Sequence, residues 1–385
     1  MLENMKNAEP QNENYLLLNH DVLIYPPILS LITILLEENQ KVTLLGYCSD
    51  LEKFQSYIDK GLIFYNLLDN DTESSKFNKT LNYMNYRRNV KKTLSNEKKN
   101  VKLWFLGNEV IYLFNDLLEK YHSIIYFFEV PELKVPNRYR LLSPFFNYKN
   151  CVRKAKQVIC CEYNRGLITR AYFGLSQEPI IIPNKPSYFI NESDIHKLDD
   201  YIEQKIENKK IILYQGGFNF PERRLDELCD SINFLPSEFI ILIMGPDTDY
   251  KRVLISKYKE NERIVFLPFI GAPNHLHITK RARIGFLSYF SNEGNIQQIL
   301  NILYCAPNKV FEYAKYGIPM VSNNLPSMEY FIGKFKSGKT IKHFTPENIA
   351  NAVLQIDSQY EIHSNGSCAV FDSVNIQEII RENFI

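Results

Sequence analysis

The chain has 385 residues, 45 Lys and Arg against 44 Asp and Glu, and 45% hydrophobic side chains. That length allows two domains, each burying its own core. The near-cancelling charge excludes the strong basic excess of a dedicated nucleic-acid binder. The longest apolar run, Ile28 to Leu36, contains Ser30 and Thr33 and is too short to span a bilayer.

From the start of the chain, Met1 to Glu13 is polar and has no apolar signal region, so no secretory signal is expected. Strands are predicted at Tyr15–Leu18, Val42–Gly46, Leu62–Tyr65, Val101–Leu106, Ser123–Phe127 and Gln157–Cys161, with helical patterns between many of them. Between the third and fourth lies a basic stretch, Lys76 to Lys102, with Arg87, Arg88, Lys91 and Lys92 at its centre and Glu97 its lone acid. Such a run is usually a solvated helix. In a near-neutral chain it also marks a candidate contact with anionic lipid. A β-rich run then ends in Pro183-Asn184-Lys185-Pro186, followed by the charged stretch 191–209. This sets the expected division: residues 1–186, 187–372, and a C-terminal helix over 373–385 that packs back on the first domain.

In the second half, strands are predicted at Lys210–Tyr214, Phe239–Met244, Arg263–Leu267, Arg283–Ser288 and Pro319–Ser322. A helix is expected over Leu225 to Phe234, where Leu225, Leu228, Cys229 and Ile232 share one face. Strand–helix alternation in both halves implies two doubly wound α/β domains, whose ligands belong beyond the carboxyl ends of the strands. The seven cysteines, scattered from Cys48 to Cys368 with only Cys160 and Cys161 adjacent, read as reduced thiols in a cytoplasm.

The most informative segment is Asn301 to Glu329. Pro307 suits a first helical turn, Gly317 a left-handed cap, and Pro319 a stop before the next strand. A helix opening at Pro307–Asn308 offers free amides to an anion, and Lys309 adds a full positive charge there. Glu312 follows at i+3, where a carboxylate suits a diol; an ordinary surface Lys–Glu pair has the same spacing. Gly216 and Gly217, after the strand from Lys210, let the backbone approach a ligand. Arg223 precedes the Leu225 helix, where a guanidinium suits two phosphate oxygens, although Glu222 and Asp226 would also make it a solvated charge pair.

Asn301, Tyr304, Pro307-Asn308-Lys309, Glu312-Tyr313, Gly317-Ile318-Pro319 and Ser322-Asn323-Asn324-Leu325-Pro326 together resemble the donor-binding segment of glycosyltransferase family 4. Weaker similarities, Ile211 to Gly216 with Arg223-Arg224-Leu225, and Cys151 to Leu167 with Ile181 to Asn184, extend the resemblance over about residues 15 to 332. It implies the GT-B fold, two Rossmann-like domains facing across a cleft, and transfer of a sugar from a nucleotide-diphosphate sugar to a saccharide or lipid-linked saccharide acceptor. It implies retention at the anomeric carbon, with the leaving phosphate helping to deprotonate the acceptor, and a setting in bacterial surface-polysaccharide assembly; with the basic stretch, the expected location is the cytoplasm, with peripheral contact at the inner face of the plasma membrane. Under it Glu312 contacts the donor ribose, and Arg223 and Lys309 meet the diphosphate. Tyr304 stands where the family's other motif Glu would fall. Phe128 stands where many relatives have His, which leaves Glu129 as the candidate carboxylate near the acceptor.

No metal or cofactor is expected. Asp247-Thr248-Asp249 has the form of a Mn²⁺ motif but follows a strand and Gly245-Pro246, as a turn does. His275 and His277 have no third ligand nearby and read as loop or cleft residues. Two other readings stand beside the transferase: a non-catalytic subunit that binds nucleotide-sugar or supports a partner enzyme, and a nucleotide-sugar epimerase.

Overall fold

The structure is a computed structural model that describes residues 13–68, 76–95, 101–132, 135–137, 139, 146–188, 198–219, 222–291 and 294–385. It divides into two compact units. The first holds the described residues up to Pro183 together with Ser187, Tyr188 and Ile376–Ile385; the second holds Asn184–Pro186 and the described residues from 198 through Asn375.

The first unit is built on seven parallel strands: β1 (Glu13–Asp21), β2 (Lys41–Tyr47), β3 (Ile63–Asn66), β4 (Val101–Leu106), β5 (His122–Phe127), β6 (Gln157–Cys160) and β7 (Ile180–Ile181). Their order is β3-β2-β1-β4-β5-β6-β7. Strands covered on both faces read as continuous apolar runs rather than alternating ones, and Leu16, Leu17, Leu103, Trp104 and Phe105 are all fully buried. The order reverses between β1 and β4. Their neighbouring connections leave in opposite directions there and open a crevice at the strand ends.

The second unit repeats the plan with six parallel strands: β8 (Lys210–Gln215), β9 (Phe239–Met244), β10 (Ile264–Leu267), β11 (Ile284–Leu287), β12 (Met320–Asn323) and β13 (Gly338–Ile341). The order is β10-β9-β8-β11-β12-β13, so the reversal lies between β8 and β11. β13 eluded the sequence pattern because its four residues, Gly-Lys-Thr-Ile, carry a half-buried Lys-Thr centre instead of an apolar run. The expected helix from Leu225 is α-helical through Ser231 and tightens to a 3₁₀ turn at Ile232–Phe234. Leu225, Leu228, Cys229 and Ile232 are all fully buried against this sheet.

Helix Ile376–Phe384 closes the first unit. Ile376, Ile380 and Phe384 form its buried face. The Phe384 ring lies 4.9 Å from that of Trp104, the chain's one tryptophan. The Lys102 ammonium donates to the Phe384 carbonyl, and Arg381 pairs with Glu38 at 2.6 Å. Deleting a buried aromatic side chain costs about 3–5 kcal/mol. Phe384→Ala is therefore expected to lower the stability of the first unit by that order in urea unfolding followed by Trp104 fluorescence. A loss under about 1 kcal/mol would mean that the helix end is not packed on Trp104.

Candidate functional site

In the second unit the predicted residues gather at the strand-order reversal. β8 ends at Gln215 and the chain turns at Gly216, in the left-handed region at φ +138°. The Gly216 amide donates to the Met244 carbonyl of β9 at 2.9 Å. A Cβ on Gly216 would lie 2.4 Å from Lys309 Cε and 2.6 Å from its Nζ. The lysine folds back onto the glycine turn, in space that only a residue without a side chain leaves open. Gly217 differs, because a Cβ there would meet nothing nearer than 4.0 Å. Its part is its carbonyl, which accepts the Tyr214 hydroxyl.

Arg223 completes the group. Its guanidinium lies 4.8 Å from the centre of the Tyr289 ring, and Lys309 Nζ lies 5.9 Å from the same ring. Tyr289 follows β11 and is held by Asn323 at the end of β12: the Tyr289 amide donates to Asn323 Oδ1 at 3.0 Å, and Asn323 Nδ2 donates to the Tyr289 carbonyl at 2.6 Å. An aromatic face draws cations, and here one ring serves two. Among the described residues neither Arg223 nor Lys309 makes an ion pair with a carboxylate within 4 Å, and Arg223 Nε is buried without a hydrogen-bond partner. Burial and the Arg223 charge push the Lys309 ammonium down to about 8, against the opposing pull of Glu312. Two adjacent cations with an unsatisfied donor are an arrangement that a dianion would satisfy.

Glu312 is not on a surface. Its side chain is buried. Its Oε1 lies 3.1 Å from His275 Nε2, and its Oε2 accepts from Gln215 Nε2 at 2.6 Å. Gln215 in turn accepts from Thr279 Oγ1 at 2.8 Å. Burial alone would raise the carboxyl, but His275, Lys309 and Gln215 together hold it below its ordinary value. Glu312 thus ties its helix to the end of β8, and its two oxygens already have protein partners. His275 was expected to be a loop or cleft residue. It is a buried partner of Glu312, and its Nδ1 has no hydrogen-bond partner.

Other expectations shift in detail. Pro307 is the residue before the helix rather than within its first turn; the helix runs Asn308–Ala314. Gly317 is left-handed at φ +62°, and the Gly317 and Ile318 amides close the helix on Ala314 and Tyr313. Asn308 is half-buried, and Tyr304 follows the helix Ile296–Leu303 as its half-buried end residue. The start of helix Leu225–Ser231 is not open to an anion, because the Tyr250 hydroxyl accepts from both the Leu225 and Asp226 amides. Arg223 therefore acts by its side chain alone. Asp247 and Asp249 both pair with Arg252.

The remaining predicted residues belong to the first unit. Glu129 is exposed beyond the end of β5. In the basic stretch, Arg87 and Lys91 pair with Asp116 at 3.1 and 2.5 Å, while Arg88 and Lys92 stay exposed. The single Asp116 carboxylate thus offsets part of the charge of that patch within the unit; Lys98 and Lys99 lie outside the described residues. No helix among the described residues is long and apolar enough to cross a membrane.

Tyr289 and Thr279 escaped notice as site residues, and His275 was read only as a loop or cleft residue. The signal for Tyr289 was its place just after a strand, across the reversal from the glycine turn, and Asn323 in the family-like segment was its partner.

The fold is that of known GT-B proteins. The chain aligns with the Anabaena protein HepE, solved in complex with UDP and glucose, at a TM-score of 0.69 and 12% identity over 96% of this chain and 97% of that one. It aligns with sucrose-phosphate synthase from Thermosynechococcus elongatus at 0.61 and 12% identity, over 97% and 95% of the two chains. A putative UDP-N-acetylglucosamine 2-epimerase from Listeria monocytogenes gives 0.60 and 11% identity over 97% and 95%. No family model matches the sequence, and no curated protein is significantly similar to it.

Because the folded Lys309 titrates near 8 rather than at its ordinary 10.5, its charged form is disfavoured by folding. That cost is full below pH 8 and fades as pH rises from about 8 to 10.5, where the folded protein loses the proton first. Lys309→Met is therefore expected to melt above the wild type at pH 7, with the gap narrowing across that window in thermal scans. A variant that melts lower at pH 7 would contradict an unpaired, strained cation.

Proposed function

We propose that the chain is a glycosyltransferase whose second unit binds a nucleotide-diphosphate sugar and passes a hexosyl group to an acceptor hydroxyl on a glycan or lipid-linked saccharide. The observation that carries this reading is the pair of cations, Lys309 and Arg223, held over Tyr289 without an anion of their own. Breaking a sugar–phosphate bond leaves negative charge on the departing diphosphate, and donors already aimed at that charge lower the barrier most. Gly216 lets the ammonium lie against the chain at the end of β8, the place where α/β sheets receive ligands. The HepE fold, seen with UDP and glucose, fits the same assignment. Glu312 acts by fixing Gln215 and His275 as much as by touching a ribose. Gly217, Pro307, Asn308 and Tyr304 border the donor site in this reading, and no metal is needed for it.

Retention at the anomeric carbon, family 4 character and surface-polysaccharide assembly come from the sequence resemblance. Arg88 and Lys92, exposed on one helix, are the groups left for a peripheral contact with an anionic membrane.

Incubation with UDP-, GDP- and ADP-sugars tests the assignment, with free nucleoside diphosphate as the readout. Slow release is expected from one donor class, lowered by about two orders of magnitude in Lys309→Met and Arg223→Gln. Release unaffected by both substitutions would end the reading. Binding with no release is what a non-catalytic subunit gives, and a new sugar isomer is what an epimerase gives. The anomeric proton coupling of the product reads retention.

The pH dependence of binding follows from Lys309. A bound diphosphate holds the proton on the ammonium, so the affinity for the accepted nucleoside diphosphate should be level from about pH 7, where its terminal phosphate is fully ionised, to about pH 8 and fall about tenfold per pH unit above that. Flat affinity to pH 9.5 in calorimetry would exclude Lys309 from the contact.

A further inference from the structure

An amine is a nucleophile whenever its proton is off, and Lys309 is placed where the proton comes off easily. Its side chain is packed against the Gly216 turn at the end of β8. The Tyr289 ring, just after β11, lies 5.9 Å from Nζ, and the Arg223 guanidinium lies 4.8 Å from the same ring. Glu312, one turn along the same helix, has one oxygen on His275 and the other on Gln215. Burial, then the Arg223 charge, lowers the ammonium to about 8, while Glu312 and Cys305 pull the other way. At pH 7.5 roughly a quarter of Lys309 is therefore unprotonated, against about one part in a thousand for an ordinary lysine. In this respect it matches a chain-terminal amine, whose ordinary value is about 7.7–8.0.

Two donors in the same cluster lack an acceptor. Arg223 Nε and the Tyr289 hydroxyl are both buried without a hydrogen-bond partner. Burial holds the Tyr289 phenol well above its ordinary value, so its proton stays on. The neighbouring polar groups are engaged elsewhere. The Tyr214 hydroxyl donates to the Gly217 carbonyl, and Cys305 Sγ lies 3.4 Å from Ser327 Oγ. A buried donor left unmade costs about 1–3 kcal/mol, so two of them beside a nucleophile favour an acidic group bonded to that nucleophile.

We propose that the Lys309 amine is a reversible carbon dioxide site, forming a carbamate that Arg223 and Tyr289 hold. The Nζ lone pair bonds to the carbon of CO₂, one carbon–oxygen π pair moves onto oxygen, and Nζ gives a proton to solvent water. No oxidant, metal or leaving group takes part. The carbamate oxygens accept from Arg223 Nε and from the Tyr289 hydroxyl, which satisfies both orphaned donors. Carbon dioxide suits the place because it is uncharged. Arg223 does not repel it, and it enters without the desolvation penalty of a charged reagent. The adduct puts an anion where a cation stood, so Arg223 gains an ion-pair partner and the anchor for a diphosphate is lost. That consequence rests on the donor reading; the adduct itself does not. Carbon dioxide and a nucleoside diphosphate then weaken each other's binding by the same factor.

The test uses the full chain at pH 8 in ¹³C-labelled bicarbonate and CO₂. It is read by ¹³C NMR and, after trapping with a trialkyloxonium salt, by peptide mass spectrometry. A carbamate resonance separate from those of bicarbonate and CO₂ is expected, with an alkylated carboxyl on the peptide that carries Lys309. The trapped peptide identifies the residue in the unaltered protein, whatever the variants do. The resonance should vanish in Lys309→Met and fall at least about tenfold at pH 6 and equal dissolved CO₂, where the amine holds its proton. Arg223→Gln should weaken CO₂ binding about tenfold, and Tyr289→Phe, which keeps the ring, about threefold. No Lys309-dependent resonance and no trapped carboxyl on that peptide would overturn the proposal, as would labelled bicarbonate held there without a bond. A trapped adduct that saturating UDP, GDP and ADP all fail to displace would keep the carbamate and count instead against the donor site.

Discussion

The Lys309 ammonium packed against Gly216, with the Arg223 guanidinium beside it over the Tyr289 ring, is the constraint around which the second unit is arranged. Two like charges in a half-buried place repel each other and lose water, and both effects favour a neutral lysine. Such an arrangement persists only if the surrounding structure fixes it. Asn323 clamps the Tyr289 backbone from both sides, Gly216 is tied to β9, and Ser288 donates to the Arg223 carbonyl. Glu312 balances part of the charge from below, and its own partners, Gln215 and His275, keep it from collapsing onto the lysine as a simple ion pair. The stability lost here is what a bound diphosphate would return.

Both units bring residues distant in sequence together at the same topological position. In the second, Gly216 follows β8 and Tyr289 comes just after β11; in the first, His20 is the last residue but one of β1 and Glu109 comes just after β4. In each case, residues about 70 to 90 positions apart in sequence meet because two parallel strands are neighbours while their connections diverge.

Much of this was legible in the sequence where local rules decide. Buried parallel strands announce themselves as apolar runs, and Val101–Leu106 and Phe239–Met244 were read to the residue. Gly317 and the lysine at the helix start follow from cap chemistry. What spacing could not give was direction through space. Lys309 and Glu312 share a helix face, as i+3 predicts, yet that face turns into the unit, because Glu312 finds His275 from a loop 37 positions earlier. Tyr289 and Asn323 each look ordinary in sequence and become a clamp only when β11 and β12 pair. The Arg223 helix start looked open to phosphate until Tyr250, from another helix, covered it. The contact of His20 with Glu109 in the first unit was invisible for the same reason, since the two meet only across the β1–β4 neighbourhood.

A crystal structure of the chain with UDP tests the central claim most directly. The account predicts the terminal phosphate within hydrogen-bonding distance of Lys309 Nζ, with Arg223 Nε, now without a partner, donating to one of the phosphate oxygens. A nucleotide bound with its phosphates away from both side chains, and Arg223 Nε still unpartnered, would contradict it.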